Sequence, residues 1–353
     1  MNRLYRCLGT VVTLWALAGG TARAADALVV MTSYPEAVVN RFESAFEKRH
    51  PEYPITLRWR MPHDAMATLG QPGHGGVDVY WSPATRNFAE LKAAGALQRL
   101  DLDREALPRA IGGFPIADPE DHYTAAETAG YGMFINGDYL NEHGLPEPRR
   151  WQDLADPVYR GHLVFPVPAR IGYAHVLVDG WLQSYGWEAG WALVSELAGN
   201  ARLVDRRGNF VTDEVTDGRA GVGLTMDFFA AAATASGAPG HFVYPPETTY
   251  NPAHIGILED APHPEAARAF VAFILSEEGQ RILFHPDIRK LPIRPAVYAD
   301  APAGYHNPFA APTAAYDLAL GNARREVNAA LFEVAVSRRP DVMAKLKLGH
   351  ADE

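Results

Sequence analysis

The sequence predicts an α/β protein built from two lobes, each with a mostly parallel sheet flanked by helices. Short apolar runs alternate with segments of helical periodicity, which is the pattern of successive βαβ units. The alternation occurs in two blocks, and long extended runs separate them. We therefore expect two lobes joined by at least two extended crossings.

The first 24 residues are expected to be a secretory signal peptide. Arg3 and Arg6 precede an apolar run from Leu8 to Ala18, and Ala22-Arg23-Ala24 supplies a small-residue cleavage site. The alternative, an N-terminal membrane anchor, is disfavoured because a membrane span needs about 20 apolar residues. We therefore expect an exported, periplasmic protein.

Removal of the signal changes both the charge and the cysteine content. The chain of 353 residues carries 42 acidic and 32 basic side chains, a formal charge of -10. Without Arg3, Arg6 and Arg23 the balance becomes 29 basic against 42 acidic side chains, or -13. This acidity argues against a nucleic-acid partner, which requires a basic face. The single cysteine, Cys7, leaves with the signal, so no disulfide is expected.

The first block begins directly after the signal. Ala27–Thr32 is a continuous apolar run typical of a buried strand, and helical spacing of apolar residues follows over Glu36–Arg49. Ser33-Tyr34-Pro35-Glu36 matches a capping box, which predicts that Ser33 caps this helix. The remaining elements are strand Ile55–Arg60, helix Pro62–Leu69, strand Val77–Ser82, and helix Ala84–Ala94 ended by Gly95.

The second block begins near Tyr139, after an extended run from Tyr123 to Asn136. Its elements are strands His162–Val167, Ala201–Asp205 and Val222–Asp227, with helices Gly172–Tyr185, Glu188–Leu197 and Phe228–Thr234. A strand at His254–Glu259 then precedes helix Pro264–Leu275 and a helix from Glu277, which Ser276 caps. We assign residues 25–126 and 258–353 to the first lobe and 127–257 to the second. The expected hinges are the crossings around Ala125–Gly132 and His254–Ile257.

Motifs for catalysis or cofactor binding are absent from the sequence. It contains no G-x-S-x-G elbow, no Walker loop, no H-E-x-x-H and no G-x-G-x-x-G after a strand. The thirteen histidines occur singly, and Gly73-His74-Gly75-Gly76 precedes a strand, as a turn does. We therefore expect no enzymatic activity, no cofactor and no metal.

Polar and aromatic side chains follow several of the predicted strands. In open α/β sheets, ligands bind beyond the carboxyl ends of the strands, where helix N-termini present unpaired amides. The candidate ligand-binding residues are Thr32, Ser33, Tyr34, Trp81, Ser82, Arg170, Gly172, Tyr173, Arg207 and Asp227. Two facing lobes would enclose this set.

Each candidate also has a purely structural interpretation. Ser33 and Asp227 would cap the helices that follow them, and Arg170 and Arg207 would be solvated surface charges. Trp81 is favoured as a cleft residue because it lies at a strand end, whereas a core tryptophan is more often found within a strand. An acidic protein that binds an anion must supply its positive potential locally, so the two arginines are the expected anion donors.

Three stretches resemble periplasmic solute-binding proteins of ABC importers. They are VDVYWSPATRNFAELKAAGAL, WQDLADPVYRGHLVFPVPARIGYAHVLVDGWLQSYGWEAGWALVSELAGNA and PEAARAFVAFILSEEGQRILFHPDIRKLPIRPAVY. The resemblance is to the branch of ferric-ion, sugar-phosphate, phosphoglycerate and phosphonate binders. It implies the two-lobed type II fold, a ligand cleft between the lobes, a monomer, and delivery of the ligand to an inner-membrane permease and ATPase.

The resemblance also bears on the ligand. In ferric members a tyrosine pair just past a strand of the second lobe binds the metal, and Met226-Asp227-Phe228-Phe229 stands in that place here. Phenylalanine has no oxygen to coordinate iron, so the resemblance implies a small organic anion. Where anion-binding relatives have a Ser- or Thr-rich loop, this chain has Ala169–Tyr173, which leaves amides, Arg170 and the Tyr173 hydroxyl as donors. Ferric-ion binding and presentation of the ligand to a sensor kinase are the alternatives.

Overall fold

A mixed sheet connects the two predicted blocks in the computed structural model, which describes residues 27–103, 105–205, 211–286, 288–310 and 314–337. The strands are β1 (Leu28–Thr32), β2 (Ile55–Trp59), β3 (Val79–Ser82), β4 (Ala110–Ile111), β5 (Phe114–Pro115), β6 (Thr124–Ile135), β7 (Leu163–Pro166), β8 (Ala201–Val204), β9 (Val222–Met226), β10 (His241–Val243) and β11 (Tyr250–Ile257). The helices are α1 (Glu36–Arg49), α2 (Pro62–Leu69), α3 (Thr85–Ala93), α4 (Gly137–Glu142), α5 (Ala174–Tyr185), α6 (Trp187–Asn200), α7 (Val211–Thr216), α8 (Asp227–Ala235), α9 (Pro264–Leu275), α10 (Glu277–Ile282) and α11 (Leu318–Phe332). The expected signal peptide, Cys7 and Arg207 lie outside the described residues.

The order of the strands confirms the predicted α/β fold. The sheet runs β2-β1-β3-β11-β6-β9-β7-β8, and β10 pairs with β6 outside this path. The strands at each end, β2-β1-β3 and β9-β7-β8, are parallel, as βαβ units require. The two central strands, β11 and β6, are antiparallel to their neighbours and join the parallel ends.

The two central strands coincide with the expected hinges. β6 pairs with β11 up to Gly130 and with β9 from Tyr131 onwards, so it changes partner between these two residues. The pairing of β11 with β6 shifts register between Ala253 and His254. A strand is easiest to bend where its ladder is interrupted, so both positions suit a hinge. The hinge itself stays a prediction.

The apolar core is divided between the two ends of the sheet. One cluster surrounds Phe42 and Phe270 beside β1 and β3, and another surrounds Trp151 and Trp181 beside β7 and β9. Tyr316, Phe332 and Val336 pack in the second cluster. Our assignment put all of residues 258–353 in the first lobe, whereas these three side chains pack with the second cluster.

The C-terminal helix is held on the second half by polar contacts as well. Arg324 and Asn328 of α11 both donate to the buried Asp179 carboxylate of α5. These contacts, with the apolar packing, assign residues 316–336 to the second half of the molecule. The remainder of the lobe assignment stays a prediction.

The turn after β1 differs from the sequence prediction. Helix α1 starts at Glu36, as expected, but Pro35 occupies its N-cap position and no side chain caps it. Ser33 lies too early in the chain to cap, and its carbonyl accepts from the Trp59 indole at 3.3 Å. The predicted capping box is therefore wrong. By contrast Ser276 caps α10 as expected, accepting from the Gly279 amide at 3.1 Å.

Within the described ranges, no helix combines the length and apolar content needed to cross a membrane.

Candidate functional site

A buried ion pair lies where β6 passes between the two halves of the sheet. The Glu127 carboxylate is 0% exposed and accepts from Lys290 Nζ at 3.1 Å, and Lys290 is only 4% exposed. Glu127 also accepts from the Tyr34 hydroxyl and, at 3.2 Å, from the Trp81 indole. Buried charges are tolerated when they are paired and hydrogen-bonded in this way. The arrangement therefore fixes a cationic group at the junction of the two halves.

The Lys290 ammonium lies between two aromatic rings that come from different halves of the molecule. Its Nζ is 4.4 Å from the centroid of Tyr34, which follows β1, and 4.4 Å from that of Phe228 in α8. Each such cation–π contact contributes about 0.5–2 kcal/mol, with the larger values for desolvated pairs. One ammonium thus contacts side chains from both halves of the molecule.

Asp227 connects the end of β9 to β6 by a hydrogen bond. It is 4% exposed and accepts from the Gly130 amide at 2.7 Å, the Tyr244 hydroxyl at 3.0 Å and the Phe228 amide at 2.6 Å. Burial raises the pKa of its carboxyl to about 6, although these hydrogen bonds and Lys290 act in the lowering direction. Asp227 is the first residue of α8, whose N-cap is Met226, so it does not cap the helix as considered above.

An aromatic row extends from Phe228 along the strand ends of the second half. The ring centroids of Phe228 and Phe229 are 4.2 Å apart, those of Phe229 and Tyr173 5.6 Å, and those of Tyr173 and Tyr131 6.3 Å. The Tyr173 hydroxyl donates to the Leu224 carbonyl at 3.3 Å. This row provides apolar surface and a few hydroxyls beside the cationic centre, which is typical of small-molecule sites.

Trp81 packs in the core, contrary to our expectation of a cleft position. It is 1% exposed, and its ring lies edge-on to Phe42 at 5.1 Å and to Tyr34 at 5.2 Å. The strand end is covered because α1 packs over it. Trp81 therefore positions Glu127 through its indole N–H, and ligand contact by Trp81 stays a prediction.

Two other candidates have local structural roles. Thr32 is buried and its hydroxyl accepts from the Tyr34 amide at 3.1 Å, which holds the turn after β1. Ser82 is fully buried, and its hydroxyl accepts from the Ala84 amide at 3.3 Å, just before α3. Both side chains thus hold the turns that follow their strands.

Four further candidates lie on loops. Ser33 is half-buried beside Tyr34, and Tyr173 is half-buried in the aromatic row. Arg170 and Gly172 are exposed on the loop between β7 and α5. Ligand contact by all ten candidate residues, including Arg207, stays a prediction.

Sequence reasoning missed Glu127 and Lys290, which form the centre of the site. A signal for Glu127 was present, since it is a lone acid within the extended apolar run of β6, and such acids are rarely buried unless paired. Lys290 lies in one of the stretches that carry the family resemblance, but nothing local distinguishes it from a surface lysine.

The fold and this arrangement define a two-lobed binding protein of the type II class. Residues 82–316 match the family described as bacterial extracellular solute-binding protein, so the chain belongs to that family.

Curated relatives agree with this assignment. The phosphoglycerate transport regulatory protein PgtC of Salmonella typhimurium is 33% identical over 226 residues, which are 63% of this chain and 55% of that protein. An uncharacterized protein of Haemophilus influenzae is 30% identical over 171 residues, which are 47% of this chain and 49% of that protein. The match thus spans about half the length of these relatives.

Solved structures show the same fold. The periplasmic binding protein AfuA from Actinobacillus pleuropneumoniae, with fructose-6-phosphate bound, has a TM-score of 0.70 at 18% identity, covering 88% of this chain and 99% of that one. The apo ferric ion-binding protein A of Pasteurella haemolytica has a TM-score of 0.68 at 15% identity, covering 88% and 97%. At these identities the likeness concerns the fold alone.

Replacing Lys290 with methionine should destabilise the protein by about 3 kcal/mol or more, because Glu127 is left buried without its counter-charge. The double variant Glu127→Gln/Lys290→Met removes both charges and should recover most of this loss. Urea unfolding measures both, with the exposed Lys48→Met in α1 as a control expected to shift by less than about 0.5 kcal/mol. Equal destabilisation of the single and double variants would contradict the assignment of a buried ion pair.

The raised pKa of Asp227 predicts a contribution to the free energy of unfolding that changes with pH. Its folded pKa of about 6 exceeds its ordinary value of 3.8, so the folded state binds the proton more tightly. This contribution is therefore largest at low pH and is lost as pH rises through about 6.

Between pH 5 and pH 7 the loss should be on the order of 1 kcal/mol in the free energy of unfolding. Asp227→Asn changes the overall stability, so only the change between the two pH values is compared. The variant has no carboxyl at this position, so its free energy of unfolding should lack the pH-dependent contribution of Asp227. The same pH dependence in both proteins would show that Asp227 is ionised as an ordinary carboxyl.

Proposed function

We propose that this protein is the periplasmic binding component of an ABC importer and that it captures a small anionic organic solute between its two lobes. The observation that carries this proposal is the Lys290 ammonium between Tyr34 and Phe228. Among the described residues its only oxygen partner is Glu127, although an ammonium has three N–H donors. Two donors are thus left for an anion in a site of low dielectric constant, where such contacts are strong.

The surroundings of Lys290 favour an organic ligand over a ferric ion. Phe228 and Phe229 present rings where a metal site would need oxygen atoms. Within the described ranges, no group of three or more histidine, cysteine or acidic side chains is placed to hold a metal. The names of the relatives, which mention phosphoglycerate and fructose-6-phosphate, support a phosphorylated ligand such as a sugar phosphate, phosphoglycerate or phosphonate.

Capture would proceed by hinge closure and involve no covalent chemistry. We assign residues 27–126 and 258–310 to one lobe and residues 127–257 and 314–337 to the other, joined by β6 and β11. A ligand that contacts Tyr34 on one lobe and Phe228 on the other binds the closed state better and so shifts the population towards it. The closed, loaded monomer would then deliver the ligand to a permease and its ATPase.

Presentation of the ligand to a sensor kinase is a second candidate role. The word regulatory in the name of the Salmonella relative favours it. Both roles use the same ligand site, so the neighbouring genes distinguish them. Permease and ATPase genes would support import, and a kinase and regulator pair would support sensing.

The ligand class is tested by calorimetry and thermal unfolding with 3-phosphoglycerate, fructose 6-phosphate, 2-aminoethylphosphonate, citrate and ferric nitrilotriacetate. A phosphorylated compound at about 100 times its Kd should stabilise the protein by about 2.7 kcal/mol, seen as a higher Tm. The ferric complex should produce no visible phenolate-to-iron absorption band. Such a band, together with no response to the organic anions, would overturn the proposal.

The role of Lys290 is tested with the charge-free double variant Glu127→Gln/Lys290→Met, which is expected to fold. Its affinity for the best phosphorylated compound should fall by roughly tenfold or more, since a charge-assisted hydrogen bond is lost. Lys48→Met should bind like the parent. Unchanged affinity in the double variant would show that the anion binds elsewhere.

A further inference from the structure

The two-stranded hairpin β4–β5 is anchored at its base in the first half of the molecule. The Ile116 carbonyl, directly after β5, accepts from the Ala125 amide at 2.6 Å and from the Thr124 hydroxyl at 3.4 Å, both at the start of β6. The side chains of Ile111 and Ile116 are buried in the apolar cluster beside β1 and β3. The base of the hairpin therefore belongs to the first half both by hydrogen bonding and by packing.

The tip of the same hairpin is buried in the second half. Phe114 is 1% exposed and packs in the apolar cluster beside β7 and β9. Its ring stacks on that of Tyr316, with ring centroids 4.5 Å apart and an interplanar angle of 2°. Tyr316 is itself buried and lies just before α11, which is held on α5. The hairpin thus connects the two halves in addition to β6 and β11.

Gly113 shows how closely the hairpin tip approaches the second half. A Cβ atom at this position would lie 2.1 Å from the backbone nitrogen of Tyr316 and 2.4 Å from its carbonyl oxygen. A glycine often marks such a close approach of two backbone segments, because any larger residue would push them apart. The contact is therefore a fit of backbone against backbone, and it allows little sliding of one half past the other.

A groove of about 760 Å³ runs beside the hairpin between the two halves. Thr85 and Tyr123 line it from the first half, and Gln183 and Asn322 line it from the second. Gly113 is part of the same lining, so the groove reaches the hairpin tip. The hairpin thus bridges the halves at the edge of a gap, where its tip is the contact that an opening motion would break.

We propose that the β4–β5 hairpin is a strap that holds the two halves together whether or not a ligand is bound. Rotation about β6 and β11 would pull Phe114 out of the second cluster, because Ile111 and Ile116 keep the base of the hairpin on the first half. Separation of Phe114 from Tyr316 therefore accompanies opening, and the strength of this stack sets the balance between closed and open states. The inference rests on the closure of two lobes in the proposed function.

The test measures the distance between the halves in the ligand-free protein by pulsed electron paramagnetic resonance. Spin labels are attached to two exposed positions, Lys48→Cys in α1 and Arg160→Cys before β7, in a Cys7→Ser background. Phe114→Leu removes the stack but keeps an apolar side chain at the hairpin tip. The parent should show one main distance, and Phe114→Leu should raise the share of a second distance by roughly threefold to tenfold, since an aromatic pair is lost.

Phe88→Leu is the matched control. Phe88 is 0% exposed and stacks on Tyr80 with ring centroids 4.9 Å apart, and both residues lie in the first half. This change removes a comparable aromatic pair and should lower the free energy of unfolding by an amount similar to that of Phe114→Leu. Because the pair lies within one half, the distances between the labels should stay those of the parent.

Gly113→Ala is a second variant of the strap, and it leaves every aromatic ring unchanged. Its methyl group does not fit against the Tyr316 backbone, so the second distance should increase as it does in Phe114→Leu. Parent distances in both strap variants would overturn the inference. So would two distances of comparable population in the parent, or an equal change in the Phe88→Leu control.

Addition of 3-phosphoglycerate separates the strap from the function on which it rests. Saturation of Phe114→Leu with this compound should restore the main distance of the parent, because a bound ligand contacts both lobes. If the strap variants open but no organic anion of the panel binds, the strap stands and the proposed function fails. If an anion binds while the strap variants keep the parent's distances, the proposed function stands and the strap is wrong.

Discussion

The ion pair between Glu127 and Lys290 joins parts of the chain that are 163 residues apart. It is almost completely buried, so its desolvation cost is offset only if every partner is in place. Tyr34 and Trp81 complete the hydrogen bonding of the carboxylate, and Phe228 covers the ammonium from the other half of the molecule. The positions of these side chains therefore depend on one another, and the site is preorganised around a fixed positive charge.

The sheet explains how that charge comes to lie between two lobes. Parallel strands at each end bring their carboxyl ends to the site, while β6 and β11 cross between the ends and carry Glu127 across. Helix α11 then returns to the second half, where Phe332 packs in its apolar cluster. A protein with a formal charge of -10 thus holds the Lys290 cation at the junction of its halves, and the proposed anionic ligand would use this local positive potential.

Much of the fold could be predicted because apolar periodicity is a local property. The bounds of α1 and α9 follow from it directly, and so does the alternation of the longer strands and helices before α10, whereas α4, α7 and α11 were not predicted. The site was less predictable because its contacts join distant segments. No local pattern tells which lysine meets Glu127, or that α11 packs on Asp179 of α5 instead of the first half. The prediction that Ser33 caps α1 was wrong because a capping residue must lie directly before the helix. Pro35 occupies that position, and the helix begins at Glu36.

The most direct test of the central claim is a crystal structure of the protein with 3-phosphoglycerate. We expect the ligand between Tyr34 and Phe228, with an anionic oxygen within hydrogen-bond distance of Lys290 Nζ. A ligand held elsewhere, with Lys290 contacting only Glu127 and the two rings, would contradict the account.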